Sequence, residues 1–464
     1  MNRHGRAPRR ITAMLATVLL TAVPLAGCSP AAVDSSSPET TAISRPEITV
    51  ASYQEGDMLT LALQAQADMY ANFWDAGANI VTKTDNYGLP ISSDQQETAL
   101  WHQSMMVWEM YSLYLATGDQ TLKDRITAQW EFTKGNFTQG QLISHFSQAP
   151  NIAVDDTGWN AMVFITYYKV TGDIYALQLA KALIQNGYSY YRDGDTVNGL
   201  WYPQNPPSAP SGASGKIDNR WKSVYAVGIV SAALEFQMIT GDDSLFADSL
   251  NIYNWMEQNL LRNGDYSVTK QDGSVVTMNC TDNLYWCDFN VGRTKATEVD
   301  GPSGGLRPAD IHEAGSVSGL FGNMGMGVIQ ARLYKLTGDT RYLDAALRTV
   351  KALNESSYYD NNGVYVNDRD AWTNATFMGP WVSEVLTLPG IQTRDYERVI
   401  QTAQSIGQNC RTADGYWRAE WSGGNRWEAL MSPSFYFSYK QLTTSADTVG
   451  MLTAAALLEK QLYA

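Results

Sequence analysis

The sequence predicts an all-α fold, a single closed ring of helical hairpins with loop and short β-hairpin insertions on one side. Three observations carry this expectation. The phrase Thr-Gly-Asp recurs four times, at 117–119, 171–173, 240–242 and 337–339. Each copy ends one stretch with apolar residues at helical spacing and begins another. The long insertions rich in Trp, Tyr, Gly and Pro fall between these hairpins.

The chain opens with a targeting pattern. MNRHGRAPRR is basic, ITAMLATVLLTAVP is apolar but short for a membrane span, and LAGC closes the segment. Ala26 and Gly27 before Cys28 resemble a bacterial lipobox, which implies cleavage before Cys28 and a lipid on its sulfur; an ordinary secretory signal is the alternative. Residues 1–27 are therefore expected to be a lipoprotein signal peptide. Residues 28–48 are rich in Ser, Pro and Thr, hold too few large apolar side chains to bury a core, and read as a flexible tether. No linker-like break follows, so residues 49–464 are expected to form one domain. The resulting expectation is an exported protein, lipid-anchored at the bacterial cell surface and monomeric.

The formal net charge is −14, and loss of Arg3, Arg6, Arg9 and Arg10 with the signal takes it to −14 − 4 = −18. That acidity, with no Lys/Arg stripe, excludes nucleic acid as a partner. A neutral polymer is the more natural one, and the lipid supplies the membrane contact. Cys280 and Cys287 bracket TDNLYW and are expected to form a local disulfide outside the cell, leaving Cys410 alone. His102, His145 and His312 are far apart, no Cys pair has zinc spacing, and GPSGG at 301 is no nucleotide fingerprint. Neither a metal nor a cofactor is expected.

Within each corner, Gly118, Gly172, Gly241 and Gly338 suit the left-handed position that ends a helix. Asp119, Asp173, Asp242 and Asp339 suit the turn and the N-cap of the next helix. Before the last corner, Met326, Ile329, Leu333 and Leu336 recur at helical intervals; before the third, Val227, Val230, Leu234 and Met238 do so. The corners are unevenly spaced, which argues against a solenoid of identical repeats. DGDTVNGLWYPQNPPSAPSGASG and DYSVTKQDGSVVTMNCTDNLYWCDFN read as loops or small hairpins on one face.

Asp155 and Asp156 stand side by side before an apolar run whose helix is predicted to begin near Thr157. Either could cap that helix, but a cap uses one carboxylate. Adjacent carboxylates rarely complete a metal cage. Retaining glycoside hydrolysis needs two carboxyl groups about 5 Å apart, one charged and one protonated. A helix N-terminus favours the charged form of one, and mutual repulsion the neutral form of the other. Trp159, four residues on, shares the helix face of Asp155. Trp and Tyr rings stack on the apolar faces of sugars; Trp201, Trp286 and Trp421 are as easily such platforms as packing residues, whereas helical Trp108 and Trp255 read as packing.

The order ETALWHQSMMVWEMYSLYLATGD, DDTGWNAMVFITYYKVTGD, KSVYAVGIVSAALEFQMITGD and GNMGMGVIQARLYKLTGDTRYLDAA resembles glycoside hydrolase family 76 over residues 60 to 410. That family contains endo-acting α-1,6-mannanases on an (α/α)6 toroid. The resemblance implies that Asp155 is the nucleophile, that Asp156 is the general acid/base, and that the anomeric configuration is retained. Lys222-Ser223 and Val227-Gly228 stand where the family pattern has Lys-Asn and a further Asn. Phe321-Gly322-Asn323-Met324 stands where a Tyr-Asn-Gln-Gly run is usual. Since these positions lie near the family's groove, the sugar subsites are expected to differ.

The remaining groove candidates are Asp94, Trp101, Trp201, Tyr202, Lys222, Asp310, His312 and Asn323, together with Trp159. The leading expectation is an enzyme cutting inside an α-mannan. A non-catalytic glycan-binding lipoprotein, or a toroid enzyme acting on another polysaccharide, are the alternatives. An epimerase or uronyl hydrolase would look to His312, followed by Glu313, for its chemistry.

Overall fold

The computed structural model describes residues 56–75, 80–81, 98–136, 154–192, 200–202, 221–269, 275–286, 288–290, 320–356, 363–365, 376–418, 420–423 and 442–463. Every described residue belongs to the compact unit of residues 46–464. Cys28, the signal and the tether lie outside the described residues, as does Cys287 of the expected disulfide.

Helix α1 (Asp57–Phe73) leads into a small strand pair, β1 (Trp74–Asp75) and β2 (Ile80–Val81). The hairpins follow: α2 (Thr98–Thr117) with α3 (Gln120–Asn136), then α4 (Val154–Thr171) with α5 (Ile174–Arg192). Strands β3 (Trp201–Tyr202) and β4 (Trp221–Ser223) precede α6 (Val227–Thr240) and α7 (Phe246–Leu260). Next come β5 (Gly264–Thr269), β6 (Val275–Cys280), β7 (Asp288–Asn290), α8 (Leu320–Thr337) and α9 (Thr340–Glu355). A short helical turn, Met378–Pro380 running into a π-helical Trp381–Val385, precedes α10 (Thr393–Asn409) and α11 (Leu442–Tyr463).

Helices α2, α4, α6 and α8 pack on one another in that order, α8 on the turn 378–385, that turn on α11, and α11 back on α2. Helices α3, α5, α7, α9 and α10 lie outside this inner ring, and α1 fills the last outer place against α11. The fold is thus an all-α (α/α)6 toroid with short β insertions. Its two ends are joined: the Gly56 amide donates to the Glu459 carboxylate, and Lys460 reaches the Ala116 carbonyl at 3.5 Å.

The burial pattern explains which helices are inside. Every residue of α8 from Leu320 to Leu333 is buried, because that helix has neighbours all round. Outer α9 buries one face, through Ala345, Ala346, Val350 and Leu353, and shows the other to solvent. The helical spacing of Val227, Val230 and Leu234 does mark the interior, but Met238 is 42% exposed, since it lies in the last turn of α6.

The four corners are near copies. Gly118, Gly172, Gly241 and Gly338 have φ of +71° to +73°, and their amides donate to the carbonyls of Tyr114, Tyr168, Gln237 and Tyr334 at 2.7–2.8 Å. Each Asp carboxylate accepts the amide two residues on, at 2.8–3.0 Å. The threonine has its own role, which sequence reasoning left unexplained. Its hydroxyl donates to the carbonyl four residues back at 2.7–2.8 Å and accepts the Asp amide at 3.1–3.2 Å. Thr, Gly and Asp each satisfy a backbone group that the chain reversal leaves open.

Candidate active site

The inner segments run parallel, so all begin at one end of the ring. Near the starts of α4 and α6 their backbones touch at Gly158 and Gly228; further along, Lys169 of α4 pairs with Glu235 of α6. The short Thr-Gly-Asp corners lie at the other end. The long connections 137–153, 193–226 and 261–319 lead into the starts of α4, α6 and α8.

The acid pair is at that starting end. Helix α4 begins at Val154, three residues before the predicted start, so Asp155 and Asp156 are its second and third residues. They occupy the first turn, where free amides and the helix dipole favour negative charge, rather than a capping position. Val154 is fully buried and draws the helix start back into the ring. Thr157, Gly158 and Trp159 are buried as well, whereas the Asp155 side chain is half-buried. A half-open carboxylate on a locked first turn is a suitable place for chemistry on a bound polymer. The side chain of Asp156 lies outside the described residues.

Trp159 forms part of the floor, and the expectation of a sugar platform does not hold for it. It is 3% exposed. Its ring meets Trp108, Phe321 and Phe377 edge-on at 5.7–6.2 Å between centroids. These rings fill the lumen of the ring, where an aromatic residue has no solvent face to offer. Asn323 is likewise not a groove residue. It is fully buried, and its side-chain oxygen accepts the Tyr285 amide at 3.0 Å. Trp286 and Trp421 are also buried, Trp286 beneath the Arg262 guanidinium at 4.1 Å.

The TDNLYW stretch, read as a loop, is pinned between α7 and α8. Arg262 exchanges backbone bonds with Leu284 and Asn283, the Tyr285 hydroxyl donates to Glu257 at 2.6 Å, and Arg262 pairs with Asp282 at 2.7 Å. Cys410 is buried, its sulfur against the Glu420 and Trp421 carbonyls at 3.3 and 3.4 Å.

Trp201, Tyr202 and Lys222 are brought together by the backbone. In the sheet β3–β4–β7, Trp201 is paired with Lys222 and Tyr202 with Trp221, while Lys222 also faces Phe289 of β7. The sheet runs directly into the 3-10 turn Val224–Ala226 and then α6. Trp101 is in the first turn of α2. The side chains of these residues, and Asp94, Asp310 and His312 altogether, lie outside the described residues.

Sequence reasoning missed Tyr225. It is half-buried in the turn between the sheet and α6, and its ring stacks on Phe321 at 5.0 Å and 24°. Phe321 in turn abuts Trp159. Tyr225 sits three residues before Gly228, beside the start of α4, with one ring face backed and its position fixed. Lying just before an apolar helix, it gave no signal that set it apart from core.

Two other charged groups are structural. Arg332 is 1% exposed and bonds the Ser231 carbonyl and hydroxyl at 2.8 Å, the Glu384 carboxylate at 2.7–3.2 Å, and Glu235 at 3.2 Å. Burial alone would raise the Glu235 carboxyl, but Arg332 and then Lys169 outweigh it and hold it down to about 2. Glu109 of α2 is pushed well above the usual range, first by burial and then by Asp447 of α11. Among the described residues no group of three or more His, Cys, Asp or Glu side chains converges as a metal site, and no helix is long and apolar enough to cross a membrane.

These features define an (α/α)6 toroid with an acidic pair at the mouth of an inner helix. Solved structures of family 76 glycoside hydrolases have this fold. An inactive variant of the α-1,6-mannanase of a Salegentibacter species, with two consecutive aspartates replaced and an α-1,6-linked mannose tetramer bound, matches with a TM-score of 0.62 at 16% identity, covering 87% of this chain and 99% of that one. The family 76 α-mannanase of Bacteroides thetaiotaomicron gives 0.61 at 15% identity, covering 88% and 98%. Dfg5 of Chaetomium thermophilum, in complex with glucosamine, gives 0.56 at 14% identity, covering 89% and 92%. No family sequence profile and no curated protein sequence matches the chain.

Proposed function

We propose that this chain is a retaining glycoside hydrolase that cleaves α-1,6-mannosidic linkages within an α-mannan, with Asp155 as nucleophile and Asp156 as general acid/base. One observation carries the reading: the two aspartates occupy the first turn of an inner helix at the end of the ring where the long connections enter. The Salegentibacter mannanase, of the same fold, is inactive when two consecutive aspartates are replaced.

The chemistry takes two displacements. Asp156 donates its proton to the glycosidic oxygen as the bond from that oxygen to the anomeric carbon breaks. The Asp155 carboxylate attacks the same carbon and forms a glycosyl ester. Asp156, now ionised, takes a proton from water, whose oxygen displaces Asp155 and restores the original configuration. Tyr225, Trp201, Tyr202 and Lys222 flank the start of α6 and are the candidates for holding the sugars on either side of the broken bond.

The test is incubation with defined α-linked mannans, reading product length and anomeric configuration together. Asp155→Asn and Asp156→Asn are each expected to lower kcat by about 10³-fold or more while preserving the circular dichroism spectrum. Parental rates in both variants would end this reading. Dfg5, with glucosamine bound on the same fold, favours a second reading in which the sugar is not mannose. Release of oligosaccharides from glucosamine-containing glycans, and none from α-mannan, would select it. We also propose that Cys28 carries a lipid that holds the protein at the cell surface. Cys28→Ser is expected to move it from the membrane fraction to the soluble one, and an unchanged distribution would exclude the anchor.

A further inference from the structure

We infer that Gly228 is a positioning residue for the acid pair, holding the first turn of α4 in place through a direct backbone contact with Gly158. The inference rests on the proposed roles of Asp155 and Asp156.

The contact lies immediately after those residues. A Cβ placed on Gly158 would lie 2.3 Å from the Ile229 nitrogen and 2.5 Å from the Gly228 carbonyl carbon. Both are backbone atoms, which cannot turn aside. Helices α4 and α6 therefore approach more closely than any side chain permits. In the other direction, a Cβ on Gly228 would meet the Trp159 ring at 3.1 and 3.2 Å and the Gly158 Cα at 3.4 Å.

Three further contacts hold the same turn. Val154 is fully buried, Trp159 is wedged among Trp108, Phe321 and Phe377, and Gly187 of α5 approaches from outside. A Cβ on Gly187 would lie 2.4 Å from Ile229 Cδ1 and 3.2 Å from Thr157 Cγ2. The turn bearing the two carboxylates is thus fixed in height and rotation by its neighbours, and Gly228 is where α6 meets Gly158, two residues after Asp156. Catalytic groups require such support, because displacement by about 1 Å can lower a rate by about 10²-fold.

The two glycines predict different outcomes. Alanine at 158 strikes backbone and threatens folding, whereas alanine at 228 needs only a small shift of Trp159 and Gly158. Gly228→Ala is therefore the informative variant. It is expected to fold, to lower kcat on α-mannan about tenfold with KM changed less than about threefold, and to displace the pH–rate profile. Gly327→Ala is the control. Its Cβ would meet the Trp381 ring at 2.6 Å, between α8 and the π-helical turn. That variant is expected to lose thermal stability while keeping the parental kcat and pH profile.

A folded Gly228→Ala protein with the parental kcat and pH profile would overturn the inference, as would an equal loss of kcat in Gly327→Ala. Should Gly228→Ala fail to fold, Gly187→Ala presses on the same junction through the flexible Ile229 end and is read against the same criteria. Hydrogen exchange of residues 154–161 keeps the two levels apart. If the parent cuts no α-mannan, the functional reading fails, yet faster exchange there in Gly228→Ala than in Gly327→Ala still supports positioning, and unchanged exchange overturns it.

Discussion

Arg332 survives in the interior because each of its nitrogens has a partner on one of two neighbouring inner segments: Nη1 bonds Ser231 and Glu235 on α6, and Nε and Nη2 bond Glu384 in the turn 378–385. Removing Arg332 leaves Glu235 with Lys169 and Glu384 with Lys335 at 3.8 Å as their remaining cations, and carboxylates that lose their buried partner cost more than a network never formed. Arg332→Met is expected to destabilise the protein by about 3–5 kcal/mol, read as a fall in the denaturant midpoint. A loss within about 0.5 kcal/mol would mean that water reaches these carboxylates.

Glu109 is the opposite case, a buried carboxyl facing another carboxyl. Its side chain lies against Gly450 of α11, with Asp447 one turn earlier on the same helix. The folded protein keeps its proton well above 4.5, where the unfolded chain releases it. The sign follows: the unfolded state binds fewer protons between the two values, so stability is full at low pH and declines as pH rises above about 4.5. Glu109→Gln removes this titration. Its Tm is expected to fall less than the parent's from mildly acid to neutral pH, and parallel Tm–pH curves would show that Glu109 is ionised in the fold.

At the scale of the element, the corner is a complete local device. Its bonds connect residues two to four apart, which is why Thr-Gly-Asp could be read from sequence. Gly338 has φ +71° and open space around its missing Cβ. Gly338→Ala is therefore expected to cost about 1–2 kcal/mol from backbone conformation alone, measured by chemical denaturation. The corners differ in what their aspartates do beyond the turn. Asp173 also accepts the Trp130 indole at 2.9 Å and the Lys134 ammonium at 3.0 Å, and Asp242 takes Lys181 at 2.5 Å. These two corners are thereby stitched to the preceding outer helix, from residues far outside the motif, whereas the Asp339 carboxylate takes the Arg341 guanidinium two residues on.

At the scale of the molecule, stability depends on closing the ring. Helix α11 contacts α1, α2, α10 and the turn 378–385, and so joins the first helices to the last. Deleting residues 442–463 is expected to abolish cooperative unfolding, because α1 and α2 then expose their apolar faces together. Removing residues 1–48 leaves all the described contacts intact and is expected to leave Tm unchanged. A cooperative transition without α11 would show that the ring tolerates a gap.

By itself, the sequence determined what depends on near neighbours: the helical hairpins, the left-handed corner glycines, the Asp turn bonds, and two adjacent carboxylates at the start of an apolar helix. Only the tertiary structure decided what depends on contacts between distant segments. It placed Trp159 and Asn323 in the core, drew the start of α4 back to Val154, brought Trp201 opposite Lys222, and stacked Tyr225 on Phe321. The Gly158–Gly228 crossing joins residues 70 positions apart in the chain, 228 − 158. Local spacing can specify a helix and its ends, but which faces of two helices meet, and how closely, is set by the whole ring packing at once.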